Sequence, residues 1–261
     1  MPRIEVFSDF DGTISLGDTG CILIDSGMGE EARKEMDERI MRHELTFRDA
    51  MDIWWSSVNL TLEEGLELIR PVEIDPGFLQ FYAFIQSHNI PFSMLSCGLD
   101  ILIEQYMAWH MGEAEAKKMV VLANYAKVEG HKWIVTYRDD SPHSHDKSVS
   151  IKDSKQKFKQ EIMDRQIEKE QAGETKEERE EEHVIVFCGD GVSDLSAARE
   201  ADVLFARKDR GLESYCRTHK IPFLAFETFD EVTELIQGLQ DGSLTMGEIN
   251  RRQEEECQRE A

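Results

Sequence analysis

Cysteine is scarce and shows no pairing pattern. The five cysteines, Cys21, Cys97, Cys188, Cys216 and Cys257, are odd in number, widely spaced and free of any C-x-x-C pair. That argues against a disulfide framework and against a structural zinc knuckle. Long apolar runs are missing too. Stretches such as residues 184–188 are far too short to span a bilayer. The opening MPRIEVFSDFDG places acidic residues where a signal peptide needs an apolar run. The expectation is a soluble intracellular protein, cytoplasmic by default and compatible with the nucleus. Cations are in deficit: 30 Lys and Arg face 53 Asp and Glu, a net charge of −23. A field of that sign repels nucleic-acid phosphates and anionic membranes, so neither is expected as a partner. It also repels anionic substrates, so a phosphate site must carry its own local positive charge. No internal repeat is present.

What remains is a globular chain. Its 261 residues are 40% hydrophobic and 8% aromatic, enough for a buried core in one domain with an insertion, or two small domains. Residues 4–10 read as a buried strand ending in an acidic, Gly-containing turn. Residues 30–43 and 47–58 read as amphipathic helices, and Thr61 with Glu64 resembles a capping box. Residues 78–88, 101–110 and 147–163 read as helices. Residues 92–95, 120–124, 184–188 and 203–206 read as strands, and residues 125–128 with 133–137 as a hairpin. Residues 160–183, crowded with Glu, Lys and Arg, read as a solvated helix extension or mobile loop. Residues after Glu248 read as a charged, frayed tail.

Strands separated by helices predict a parallel α/β sheet, whose ligands bind beyond the carboxyl ends of the strands. Three loops at such ends carry polar or acidic residues. Asp9-Phe10-Asp11-Gly12-Thr13 sets two carboxylates two residues apart. One can attack phosphorus as a nucleophile, and the other can serve as acid, then base. Gly12 permits a tight turn, and Thr13 offers a hydroxyl and an N–H to a phosphoryl oxygen. Gly189-Asp190-Gly191-Val192-Ser193-Asp194 adds two more carboxylates, and four acids on neighbouring loops need a cation between them. Mg²⁺ suits that place, being hard, oxygen-seeking and able to bridge carboxylates to a phosphate. Ser96, followed by Cys97 and Gly98, can bind a phosphoryl oxygen through hydroxyl and N–H groups, and Lys147 can add a fixed cation.

Each feature has a bland reading. A D-x-D pair is often a surface turn, and a single serine or lysine is usually structural or solvated. Their weight comes from standing in order along one chain. His143 and His145 have the spacing of a metal pair but read as loop residues, since no Cys or third His lies near. Cys97 and Cys188 read as small packing residues, not nucleophiles. Trp54 and Trp55 read as helical core or cap packing.

The four motifs together, DFDGT at residues 9–13, Ser96, Lys147 and GDGVSD at residues 189–194, resemble those of the haloacid dehalogenase superfamily. The resemblance is closest to its phosphoserine-phosphatase-like branch, and within that to small fungal phosphatases and the methionine-salvage enolase-phosphate phosphatases. It implies a Rossmann-like core, residues 1–15 and 76–247, interrupted by a small helical cap at residues 16–75. The charged insert 160–183 and the tail 248–261 would lie outside that plan. It implies Asp9 as nucleophile and metal ligand, and Asp11 as general acid/base with its backbone carbonyl on the metal. Asp190 and Asp194 would complete the Mg²⁺ site, and Thr13, Ser96, Cys97, Gly98 and Lys147 would bind the phosphoryl group. Asp11 favours phosphatase or phosphomutase chemistry over dehalogenase and transport-ATPase chemistry. In phosphoserine phosphatases the cap supplies an acid and an Arg for the amino acid's charged ends. Asp18 can play the acid, but Trp54 stands where the Arg aligns, and Arg48 is the nearest cation. The implied substrate is a small phosphate ester with a leaving group less polar than serine. A phosphomutase and a regulatory protein on a phosphatase scaffold remain as alternatives, and oligomeric state is left open.

Overall fold

The computed structural model describes residues 2–172 and 182–259. The strands are β1 (Arg3–Ser8), β2 (Phe92–Leu99), β3 (Val120–Glu129), β4 (Lys132–Thr136), β5 (His183–Gly189), β6 (Val203–Arg207) and β7 (Leu224–Phe226). They form one sheet in the order β4-β3-β2-β1-β5-β6-β7. All neighbours pair in parallel except the antiparallel hairpin β3–β4 at one edge. β1 is central, with Val6 opposite Phe92 on one side and Val186 on the other. A strand flanked on both sides and covered on both faces places apolar residues on both, here Ile4 and Val6 on one and Phe7 on the other.

Side chains alternate between the two faces. Ile4, Val6, Val186 and Phe205 face one apolar cluster, while Phe7, Ile185, Phe187 and Leu204 face another. The first cluster is covered by α5 (Phe78–Ser87), α6 (Asp100–Met111) and α11 (Phe229–Asp241). The second is covered by α8 (Lys147–Ala172), α9 (Leu195–Ala198) and α10 (Gly211–His219). Phe78, Phe81 and Phe229 are fully buried, each contributing about 1.5–3 kcal/mol of transfer free energy. A one-turn helix, α7 (Glu113–Ala116), precedes β3.

Four helices stand between β1 and α5: α1 (Thr19–Met28), α2 (Glu30–Met41), α3 (Phe47–Ser57) and α4 (Leu62–Ile69). They share a third apolar cluster, built from Leu23, Met51, Trp54, Trp55 and Ile69 together with Leu99 and Trp133 of the sheet. Trp133 of β4 stacks on Trp55 at 5.5 Å and donates its indole N–H to the Leu60 carbonyl at 2.9 Å. The capping box of Thr61 and Glu64 is formed. α1 escapes the periodicity reading because Gly20 and Gly27 interrupt its sequence, yet Asp18 caps it by accepting from Cys21 N–H.

Three further differences have physical causes. β3 is one strand through Glu129, because the hairpin partner β4 and the parallel neighbour β2 take up successive parts of it. Within 160–183, α8 continues to Ala172 and β5 starts at His183; the stretch between Ala172 and Glu182 lies outside the described residues. The expected frayed tail is instead helix α12 (Met246–Gln258), docked through buried Ile249, Gln253 and Cys257. Gln253 accepts from Leu204 N–H at 2.9 Å and donates to the Asp202 carbonyl at 3.1 Å. A charged sequence with one buried face at i, i+4 and i+8 is an amphipathic helix, not a tail. Among the described residues no helix is long and apolar enough to cross a membrane.

Candidate active site

Three strands deliver the site, all at their carboxyl ends. β1 ends at Ser8, and Asp9 N–H still donates to the Cys188 carbonyl of β5 at 2.8 Å. That bond carries the sheet register one residue further and fixes Asp9 beside the β5 loop. Gly12 then turns with φ +78°, in the left-handed region. A Cβ there would sit 2.1 Å from Asp190 Oδ2. Gly12 is therefore required twice: by its backbone angle, and by the approach of Asp190 to the first loop.

Asp9 is 4% exposed and Lys147 is completely buried. The Lys147 ammonium donates to Asp9 Oδ1 at 2.5 Å and to Asp194 Oδ1 at 2.6 Å. Asp194 uses its other oxygen to accept from the N–H groups of Asp190 and Gly191, at 2.9 and 3.0 Å. It thereby shapes the loop that presents Asp190. Carboxylate oxygens of Asp9, Asp190 and Asp194 lie within 4.8 Å of one another. Burial and the Asp194 carboxylate push the Asp9 carboxyl up, with Lys147 pulling the other way. Burial and the Asp9 carboxylate push Asp190 up as well. Burial alone would lower Lys147, but Asp194 and Asp9 outweigh it and hold the ammonium well above the usual lysine range. Three hard oxygen donors, two of them on one ammonium, fit a divalent cation such as Mg²⁺. The Asp11 side chain is not in that group. Its Oδ1 accepts from Thr19 N–H and Thr19 hydroxyl, both at 2.7 Å, at the start of α1. Burial first, and the Asp18 carboxylate second, hold the Asp11 carboxyl well above the usual range.

Ser96, Cys97 and Gly98 fall where the β2–β3 register shifts, between Leu95 and Leu99. The irregularity frees this stretch from regular pairing and turns it to the site. A Cβ on Gly98 would lie 2.9 Å from Asp11 Oδ2 and 3.1 Å from Ser96 Oγ, so the two loops meet there. His145 braces the stretch through its ring Nδ1 against the Ser96 carbonyl at 2.9 Å. Asn124 adds a bond to the Cys97 carbonyl at 2.8 Å. Burial pushes the Cys97 thiol up to about 12, which fits the packing role read for it.

A cavity of about 400 Å³ opens over these loops. Its floor includes Asp9, Asp11, Ser96, Cys97, Gly98 and Asp190; its roof, from the four-helix unit, includes Asp18, Arg33, Asp37, Met51, Trp54 and Trp55. The expected phosphate-binding residues take these positions. Thr13 is buried beneath the site, its N–H donated to Phe10 and its hydroxyl turned to Asp9 at 3.4 Å, so it has no face on the cavity. Gly98 N–H is taken by Ser96 Oγ at 2.9 Å. Lys147 stands behind Asp9 and Asp194, off the cavity wall. Arg48 lies elsewhere, its guanidinium 4.8 Å over the Tyr137 ring and donating to the Asp139 carbonyl at 2.8 Å. The cations that do line the cavity are Arg33 and Arg210. Neither stood out in the sequence: Arg33 lies on a highly charged helix, and Arg210 follows a strand far along the chain. The four-residue step from Arg33 to Asp37 was the readable hint, since it places both on one helix face.

The comparisons agree with this geometry. The family model for haloacid dehalogenase-like hydrolases matches residues 6–199. The polyol phosphate phosphatase of Saccharomyces cerevisiae is 31% identical over 252 residues, covering 95% of this chain and 99% of that protein. The Pdp3-interacting factor 1 of Schizosaccharomyces pombe is 37% identical over 240 residues, 91% and 96% of the two chains. Among solved structures, a substrate-bound phosphoserine phosphatase superposes with a TM-score of 0.62 at 14% identity, over 90% of this chain and 98% of that one. A phosphoserine phosphohydrolase-like protein of Francisella tularensis gives 0.58 at 15% identity, over 90% and 100%. With these loops at the carboxyl ends of a seven-stranded sheet, this chain belongs to the haloacid dehalogenase-like hydrolases.

Proposed function

We propose that the protein hydrolyses small phosphomonoesters in two steps with Mg²⁺, and that polyol phosphates are among its substrates. The observation that carries the reading is the pairing of two unlike carboxyls at the cavity floor. Asp9 is gripped by Lys147, while Asp11 accepts from Thr19 and is held well above the usual carboxylate range by loss of solvent and by the Asp18 carboxylate. Environments that separate two neighbouring acids assign their roles. Asp9 attacks phosphorus, and Asp11 donates its proton to the departing alkoxide. Asp11 then removes a proton from the water that cleaves the aspartyl-phosphate. Lys147 keeps Asp9 charged and pointed, and Asp194 keeps Lys147 and the Asp190 loop in place. Asp9, Asp190 and Asp194 would hold Mg²⁺, which supplies charge neutralisation between carboxylates and the phosphate dianion.

The four-helix unit acts as a cap over the site. Its roof supplies carboxylates for hydroxyl groups and indole faces for carbon skeletons, which supports a polyol leaving group of the kind named for the yeast relative. Hydrolysis of p-nitrophenyl phosphate, followed as nitrophenolate and as free phosphate, tests the reading. Asp9→Asn and chelation by EDTA should each abolish turnover. Turnover that survives either change contradicts the mechanism, and isomerisation of a sugar phosphate without phosphate release would point to a mutase.

A further inference from the structure

The roof of the cavity has an unusual charge balance for an enzyme whose every substrate is anionic. Arg33 is its one cation, and that guanidinium is already occupied. It donates to Asp25 through Nε at 2.6 Å and Nη2 at 3.1 Å, and to Asp37 through Nη1 at 3.1 Å. Asp18 lies on the same wall, where burial and then the Asp18 carboxylate push the Cys21 thiol far up. Asp25 and Asp37 thus share one guanidinium, and Asp18 adds a further carboxylate that accepts from the Cys21 N–H. Between them stands hydrocarbon and sulfur: Ile24, Phe47, Met51 and Trp54. Phe47 packs edge-on against Trp54 at 5.6 Å, which fixes that face. A second negative charge carried by the leaving group would meet carboxylates on one part of this wall and an apolar face on the other. Both raise its energy, the first by repulsion and the second by loss of water.

We propose that the roof selects phosphate esters whose leaving group carries no negative charge, and that Asp18 and Asp37 are the residues that set this discrimination. The inference rests on the hydrolase reading above and adds to it which alcohols the enzyme rejects. The opposing possibility is that Arg210, on the core wall, attracts the second anion. Its Nη2 donates to the Leu16 carbonyl at 3.1 Å, at the entry to the four-helix unit. Dominance by Arg210 would reverse the preference, so the two are separable by experiment.

The test uses two esters of equal size, glycerol 3-phosphate and 3-phosphoglycerate, which differ by a carboxylate in place of a hydroxymethyl group. Each is measured both as substrate and as competitive inhibitor of p-nitrophenyl phosphate hydrolysis, so selectivity is read even where an ester turns over slowly. The full-length enzyme should favour glycerol 3-phosphate by roughly tenfold or more, mostly through KM or the inhibition constant. In Asp18→Asn/Asp37→Asn the preference should fall to within about threefold, because removing two charges from the wall removes the repulsion. Asn retains the cap on α1, and Asp25 still clamps Arg33, so the variant is a conservative one. Raising salt from about 0.05 M to about 0.5 M on the unaltered enzyme should narrow the preference as well, since screening then acts over a few Å. Equal affinity for the two esters, a preference for 3-phosphoglycerate, or a preference unmoved by both the double substitution and salt overturns the proposal. Failure to hydrolyse p-nitrophenyl phosphate at all overturns the hydrolase reading itself and removes the proposal with it.

Discussion

Replacing Lys147 with methionine keeps the length of the side chain and deletes its charge. In the folded protein the ammonium is fully buried and touches carboxylates that are themselves 6% and 0% exposed. Removing one partner from a buried ion pair costs about 3–5 kcal/mol, because the remaining charge is left without water or a counter-charge. Here two carboxylates are stranded, which places Lys147→Met toward the upper end. For a chain of 261 residues, each kcal/mol moves Tm by roughly 2–4 °C, so the loss is on the order of 10 °C or more. The assay is thermal unfolding followed by circular dichroism, in EDTA so that no divalent cation takes the ammonium's place. Asp194→Asn should partly rescue Lys147→Met, since it removes one stranded charge while leaving an oxygen for the Asp190 and Gly191 N–H groups. A double-mutant cycle should return a coupling of about 1.5 kcal/mol or more. The reasoning is refuted if Lys147→Met melts within about 2 °C of the parent, or if the two substitutions simply add.

Gly12→Ala should lower p-nitrophenyl phosphate turnover at least ~100-fold with a modest loss of stability, because the methyl group displaces Asp190 and misplaces the reacting groups; near-parental kcat would contradict the close approach described for Asp190. His145 gives a pH prediction. Burial lowers its pKa to about 4 from an ordinary 6.5, so the fold gains stability above pH 6.5 and loses it as pH falls from 6.5 to 4. The full window is worth about 3 kcal/mol. In His145→Asn, whose amide can still donate to the Ser96 carbonyl, Tm should fall less steeply over that range; superimposable slopes would remove His145 as the cause. Gln253→Leu leaves the buried Leu204 N–H without its acceptor, which should cost about 1–3 kcal/mol and speed amide exchange along α12. Unaltered stability and exchange would mean that α12 is held by apolar contacts alone.

The legible part of this protein was the part whose chemistry is local. An apolar strand ending in Asp-x-Asp-Gly, or in Gly-Asp-Gly, announces both an element and a loop at its carboxyl end. Asp9, Asp190 and Asp194 meet as expected for that reason. Lys147 was found in order along the chain, but its burial behind Asp9 could not be: a lysine at a helix start looks solvated until the fold surrounds it. The place of Thr13 was not legible, because its N–H closes the turn that Gly12 makes possible. Arg48 and Arg33 both lie on charged helices, and only the orientation of those helices decides which one faces the cavity. α12 was hidden by composition: Ile249, Gln253 and Cys257 are too few to stand out among its charges, and a buried glutamine is not a hydrophobic signal. α11 was not read from the sequence, although Thr228 as cap and apolar residues at 229, 232, 235, 236 and 239 form a helical pattern.

The helical roof is fastened unevenly. Along one side, Trp133 grips α3 and the approach to α4 by ring stacking and an indole hydrogen bond, and Thr19 is tied to Asp11 at the root of α1. α2 is fastened instead by Arg33, which grips Asp25 of α1 through two hydrogen bonds, and by Met36, its one buried residue. Segments with little buried apolar surface open first. Arg33 and Asp37 thus stand on the helix of the four with the fewest buried residues, held to its neighbour by a charge pair that salt would loosen.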